Sequence, residues 1–112
     1  MAILVASANT LSTAANTKTA DLITGRNQYV GKGRLQLFGR GSATGMNSTL
    51  NCGGIALMDD NAIPFFGAAG SLDVNAHGII DQVVAGGRVE LFLRNTTGGA
   101  LTTDYMILFT PM

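Results

Sequence analysis

Residues 27–45 read NQYVGKGRLQLFGRGSATG and residues 81–99 read DQVVAGGRVELFLRNTTGG, so the chain states one pattern twice at a constant offset of 54. The identities are Gln28/Gln82, Val30/Val84, Gly33/Gly87, Arg34/Arg88, Leu37/Leu91, Phe38/Phe92, Arg40/Arg94 and Gly45/Gly99, eight of nineteen positions and all in order without a gap. Composition alone does not produce such an alignment. A repeat at half the chain length implies a fold with two similar halves. Within each copy the apolar period is two. Leu35, Leu37 and Gly39 alternate with Arg34, Gln36, Phe38 and Arg40, and Val89, Leu91 and Leu93 alternate with Arg88, Glu90, Phe92 and Arg94. That period belongs to a half-buried strand. It predicts that Leu35, Leu37, Val89, Leu91 and Leu93 face a core. Phe38 and Phe92, with their arginines, should face outward or against a neighbour.

Other strands flank this pair. Ile3 to Ser7 is an apolar run of strand length, and the polar, small-residue stretch from Asn9 to Thr19 reads as a connection or an exchanged segment. Asp21–Ile23 and Asn27–Val30 supply further strand material, and Gly31-Lys32-Gly33 makes a turn. Gly41 to Thr49 leads out of the first repeated strand. Leu50 to Met58 reads as one return strand, with Gly53-Gly54 marking a bulge or close packing. The stretch DDNAIPFFGAAGSLDVNAHG, residues 59–78, is an irregular linker, in which Pro64 excludes a central strand position. Ile79–Ala85, Arg88–Asn95 and Leu101–Thr110 complete the series, separated by Gly86-Gly87 and by Thr96-Thr97-Gly98-Gly99. On the last strand Tyr105, Ile107 and Phe109 share one face, and Met106 and Leu108 the other.

No stretch keeps a capped helical period, and strands recur every ten to twelve residues with turn signals between them. The expected fold is all-β. It is a single eight-stranded sandwich spanning residues 1–112, jelly-roll-like and built from two similar four-strand halves. A chain of 112 residues has room for about that many short strands.

Only 12% of the residues are charged, about half the usual share, while 46% are apolar and fifteen are glycine. Sparse charge and a formal net charge of zero favour association with other chains. The charge is unevenly placed. Residues 1–56 set Lys18, Arg26, Lys32, Arg34 and Arg40 against Asp21, a formal +4. Residues 57–112 set Arg88 and Arg94 against Asp59, Asp60, Asp73, Asp81, Glu90 and Asp104, a formal −4. Opposite halves can attract neighbouring copies or neutralise each other within one folded unit. The balance argues against a nucleic-acid partner, whose footprint is a net basic surface. The start MAILVASAN lacks the basic and apolar regions of a signal peptide, and no run approaches the length of a membrane span.

Candidates for chemistry are few, and the sequence points to no catalytic, cofactor-binding or metal-binding residue. Asp73, Asn75 and His77 share one side of an extended backbone but form only part of a metal shell, and Asp59-Asp60-Asn61 is an equally partial set of oxygen donors. Cys52 has no cysteine to bond with and reads as a buried apolar side chain. Its pairing with His77 would be the sole thiol–imidazole combination available. Gly41-Ser42-Ala43-Thr44-Gly45 has the wrong spacing for a nucleophile elbow, and Gly25–Gly33 departs from a phosphate loop where a Ser or Thr is required. Two glycosylation sequons, Asn47-Ser48-Thr49 and Asn95-Thr96-Thr97, fall at turn-like sites. The more informative set is the pair of outward stripes, Arg34, Gln36, Phe38, Arg40 and Arg88, Glu90, Phe92, Arg94. A ring flanked by arginines has the composition of protein interfaces, unless the ring packs beneath a loop of its own chain with the arginine stems at its edges.

The closing stretch GGRVELFLRNTTGGALTTDYMILFTPM, residues 86–112, resembles the last strands of small jelly-roll proteins of virus and phage particles, as does the profile of few charges and many Gly, Ala, Thr and Asn residues. That resemblance implies a non-enzymatic capsid decoration or cement protein on the virion surface, often trimeric, contacting the major capsid protein or other copies of itself. The residues themselves point to no cofactor, no nucleic-acid partner and no membrane span. A small major or minor coat protein is the alternative. It is less favoured because Lys18 is the sole basic side chain among the first 25 residues, where a genome-binding arm would be. A carbohydrate-binding sandwich is a further alternative from a different class, but the chain has no Trp and only Tyr29 and Tyr105 to build a sugar platform.

Overall fold

The computed structural model describes residues 3–23, 28–41, 45–63 and 78–112. They form β1 (Ile3–Thr13), β2 (Tyr29–Val30), β3 (Gly33–Gly41), β4 (Met46–Cys52), β5 (Ile55–Ala62), β6 (Gly78–Val84), β7 (Gly87–Asn95) and β8 (Leu101–Pro111). The strands make two four-stranded sheets, ordered β1-β8-β3-β6 and β2-β7-β4-β5, and every pairing is antiparallel. Among the described residues only β4 and β5 are neighbours both in sequence and in a sheet. Around that hairpin the pairs β3·β6, β2·β7 and β1·β8 nest outward, so the chain is one long antiparallel ribbon rolled into two layers. This is a jelly roll, the expected fold class.

The repeat becomes a symmetry of the sheets. Exchanging β1–β4 for β5–β8 converts the order of the first sheet into that of the second read backwards. The register agrees at residue level. In β3–β6, Gly33 faces Val84 and Arg34 faces Val83, while in β7–β2 the equivalents Gly87 and Arg88 face Val30 and Tyr29. The other ladder is displaced. Gly41 faces Thr103, whereas its equivalent Asn95 faces Met46, so β8 has slid by three residues relative to β4.

Alternation fills the space between the layers. Leu35, Leu37, Val89, Leu91 and Leu93 are all buried in one cluster with Ile23, Met46, Leu50, Ile107 and Phe109. Each fully buried aliphatic of this kind stabilises the fold by roughly 1.5–3 kcal/mol. Cys52 belongs to the same cluster and is a free, buried thiol.

Several boundaries differ from those read in the sequence. Asn9–Thr13 is strand, because β1 continues in register with Leu101–Thr103 of β8 after a bulge between Ala8 and Leu11. Leu50–Met58 is not one strand. Gly53 and Gly54 have φ of 61° and 82°, the paired positive values of a two-residue hairpin turn, and they separate β4 from β5. Asp59–Ala62 belongs to β5 instead of an irregular linker, and Asn47 and Asn95 lie in strands. The four-residue apolar alternation of β4, Met46, Ser48, Leu50 and Cys52, contains a serine whose hydroxyl lies 3.1 Å from Met58 Sδ. That polar intrusion hides the strand in the sequence. Pro64, Phe65, Phe66, Asp73, Asn75 and His77 lie outside the described residues. Among the described residues no helix is long and apolar enough to cross a membrane.

Residues 16–23 extend the short β2 along β7 without becoming a regular strand. Thr19 N donates to Leu93 O, Leu22 N to Leu91 O and Asn95 N to Thr17 O, at 2.8–2.9 Å. Side chains complete the ladder where the backbone cannot: Asp21 Oδ1 accepts from Leu91 N, and Thr19 Oγ1 from Leu93 N.

Candidate functional site

The two stripes singled out in the sequence lie on opposite outer faces of the sandwich. Each follows from the period of two, since the neighbours of the buried leucines must point away from the core. They therefore form two surfaces of different character.

On the β1-β8-β3-β6 sheet, strand register sets two rows across the surface. One is Leu4, Leu108, Gln36 and Asp81; the next is Ser7, Met106, Phe38 and Gly78. Met106 and Leu108 are half-buried and Leu4 is 49% exposed. Phe38 stands outside the core cluster and yet is only 7% exposed. Its ring runs alongside Gly78, where an added methyl would lie 3.8 Å away. Together with Gln36, Ile79, Ile80 and Asp81, Phe38 and Gly78 line an open groove of roughly 280 Å3. Arg34 and Arg40 bound this face. Arg34 makes a bidentate pair with Asp81, and Arg40 meets Asp104 at 3.3 Å with both side chains largely covered.

The outer face of β2-β7-β4-β5 is mostly polar, with Tyr29 standing 65% exposed opposite Arg88. Arg94 makes a bidentate pair with Asp60 at 2.5 and 2.9 Å, and Arg88 meets Asp21 at 3.2 Å. Phe92 lies beneath the Lys18 ammonium, 5.1 Å from its ring centroid, a cation–π contact supplied by the segment beside β7. Thr49 and Asn47 of β4 sit across from Phe92 and Arg94, and Asn51 from Glu90. Thus Phe92 is roofed by its own chain, the second of the two arrangements open to it, while Phe38 is walled by strand neighbours.

The charge asymmetry is offset in part within the fold: among the described residues, Arg34–Asp81 and Arg40–Asp104 join a cation of residues 1–56 to an acid of residues 57–112, while Arg88–Asp21 joins the halves in the opposite sense. The Arg34 guanidinium, chiefly through its hydrogen bond, holds the Asp81 carboxyl below the usual carboxylate range, and Arg94 does the same for Asp60. Both pairs are solvent-facing, so salt screens them.

Among the described residues no three of His, Cys, Asp and Glu come together to hold a metal ion. Asp60 of the Asp59-Asp60-Asn61 set is turned to Arg94. Burial pushes the Cys52 thiol up in pKa, the opposite of an activated nucleophile. Asn95, in the second sequon, is 1% exposed and both its amide hydrogens are used, by Thr13 O at 3.0 Å and Gly99 O at 2.8 Å.

Alternation alone places all eight stripe residues, together with Met106 and Leu108. It does not reveal Leu4 as their neighbour, Val83 as exposed, or Lys18 as the cover of Phe92, since those depend on strand order. No protein family, curated protein or solved structure matches the chain.

Proposed function

We propose that the protein is a non-enzymatic structural component of a virion, a capsid decoration or cement protein that stabilises a shell by protein–protein contact. One observation supports this most: the outer face of the β1-β8-β3-β6 sheet sets Leu4, Leu108 and Met106 side by side in two adjacent rows, next to a Phe38 that is already largely covered. An aliphatic and aromatic sheet face rimmed by satisfied ion pairs has the anatomy of an interface core with a polar rim. The opposite face, with its Asn and Thr side chains and paired charges, suits solvent. The subunit is then polarised, with one face to the shell and one away from it.

Electron microscopy and peptide mass spectrometry of particles from the native source test the reading. The chain is expected in fixed stoichiometry with the major capsid protein, with density over the apolar face. Leu108→Lys is expected to abolish co-sedimentation with shells while leaving the melting temperature within a few degrees. Particles that lack the chain, or shells that bind Leu108→Lys as well as wild type, refute it. The nested strand order, shared with capsid domains, favours as a second reading a small coat protein. Closed shells formed by this chain alone would decide for that reading.

A further inference from the structure

A sandwich of two open sheets has four edges, and unprotected edges invite pairing with another chain. Three are guarded here. β1 carries two register shifts, between Leu4 and Ala6 and between Ala8 and Leu11. β5 carries two more, a left-handed Asp60 with φ 52°, and the adjacent carboxylates Asp59 and Asp60. The β2 edge is two residues long and continues as the irregular segment 16–23, whose hydrogen bonds turn inward to β7.

β6 carries one register shift, at its start between Gly78 and Ile80, and none of these devices beyond it. Its register with β3 is regular from Gly33↔Val84 to Leu37↔Ile80, and among the described residues it pairs with β3 alone. It contains no Pro or Lys. Its one charge, Asp81, is neutralised by Arg34, and Val83 is 57% exposed. Ile80 and Val84, opposite Leu37 and Gly33, are apolar core-side residues placed symmetrically two positions either side of Gln82.

We infer that β6 pairs antiparallel with β6 of a second copy across a twofold axis at Gln82, joining the two first sheets into one continuous sheet of eight strands. The register follows from three conditions. Directly opposed residues point to the same side, so the axis must pass through a residue. An axis at Asp81 would oppose two carboxylates, which is unfavourable. An axis at Gln82 opposes Gln82 to its own copy, Ile80 to the partner's Val84 on the core side, and Val83 to the partner's Asp81 on the outer side. Arg34 faces Val83 across β3–β6 and so stands in one row with the partner's Asp81. That row spans two strand spacings, about 10 Å between Cα atoms, within reach of extended side chains. Two arginines and two aspartates then alternate over the joint with no net charge. The pairing does not depend on the shell reading, although it would make the apolar outer face continuous across two subunits.

Sedimentation velocity on the purified chain tests it. Wild type is expected to form dimers with a dissociation constant below about 100 μM. Gln82→Lys, which sets two like charges opposite each other on the axis, is expected to weaken the dimer at least about tenfold. Ala56→Lys, on the exposed β5 edge, is expected to leave it unchanged. Gln82→Cys is expected to form an intermolecular disulfide under mild oxidation far faster than Ala56→Cys. Val83→Lys repeats the test should Gln82→Lys fail to fold. A monomer up to about 1 mM, a trimer, a dimer that survives both lysine variants, or equal cross-linking at residues 56 and 82 would overturn the inference.

Discussion

Replacing Asn95 by alanine removes a four-bond hub at the end of β7. The Asn95 amide donates to Thr13 O at 3.0 Å and Gly99 O at 2.8 Å, and its Oδ1 accepts from Thr97 N at 2.9 Å and Thr97 Oγ1 at 2.7 Å. These bonds tie the end of β1 to the turn between β7 and β8. The bond to Thr13 O is buried, so its loss strands a carbonyl away from water, at about 1–3 kcal/mol; the part-buried bonds regain water and cost about 0.5 kcal/mol or less each. The total is about 3 kcal/mol, which for a domain of this size lowers the melting temperature by roughly 10–15 °C. Asn95→Asp, at neutral pH, should cost more. It keeps the shape but aims a carboxylate with no donor at two carbonyl oxygens. Urea unfolding monitored by circular dichroism would measure both, with an unchanged denaturant slope as the control for two-state behaviour. A cost below about 1 kcal/mol for Asn95→Ala would refute the reasoning, because it would mean the hub is solvated in the native protein.

Three further outcomes are expected. An added Cβ at Gly87, where φ is +125°, would run into Gly53 Cα and come within 2.9 Å of Gly53 N, whereas Gly54, with φ +82°, faces open space. Gly87→Ala is therefore expected to destabilise by well over the ~1–2 kcal/mol of left-handed strain that Gly54→Ala incurs, as read by thermal melts. Asp60 and Asp81 have carboxyls depressed in the folded state, so the unfolded chain binds more protons. Their stabilisation is present above the ordinary carboxylate value of about 4 and is lost as pH falls through the depressed values. The melting temperature should fall across that acid range, and less steeply in Asp60→Asn with Asp81→Asn; an unchanged profile in the double variant would refute the assignment. Cys52, buried with its thiol pKa raised, should react with a thiol reagent at neutral pH only as fast as the core opens, and rapidly in denaturant. Rapid labelling of the native protein would show that the β4–β5 end is open.

Much of the architecture was legible because strand alternation is a local property. The repeat disclosed two matched halves, and the leucines of 33–41 and 87–95 disclosed which side of each strand is buried. Boundaries were less legible where polar residues are buried by hydrogen bonding. Ser48 interrupts the apolar face of β4, and Thr13, Asn95 and Thr103 occupy buried positions at the far end of the sandwich. Gly53-Gly54 was ambiguous because a bulge and a two-residue turn make the same demand for positive φ. Strand order was the larger gap. Whether Phe38 borders Gly78 or Lys18 covers Phe92 depends on partners about 40 and 74 residues away in sequence, and no local pattern carries that distance.

The exchange symmetry of the sheets implies that the ribbon is indifferent to where it is cut. Ile3 lies opposite Phe109 at one end, and the Gly53-Gly54 turn joins β4 to β5 at the other. A circular permutant with a short linker across the first gap and new ends at that turn would run β5-β6-β7-β8-β1-β2-β3-β4. Every strand would keep its present neighbours and the nesting order would be unchanged. The ribbon thus has two related openings, and its linear numbering records one of them.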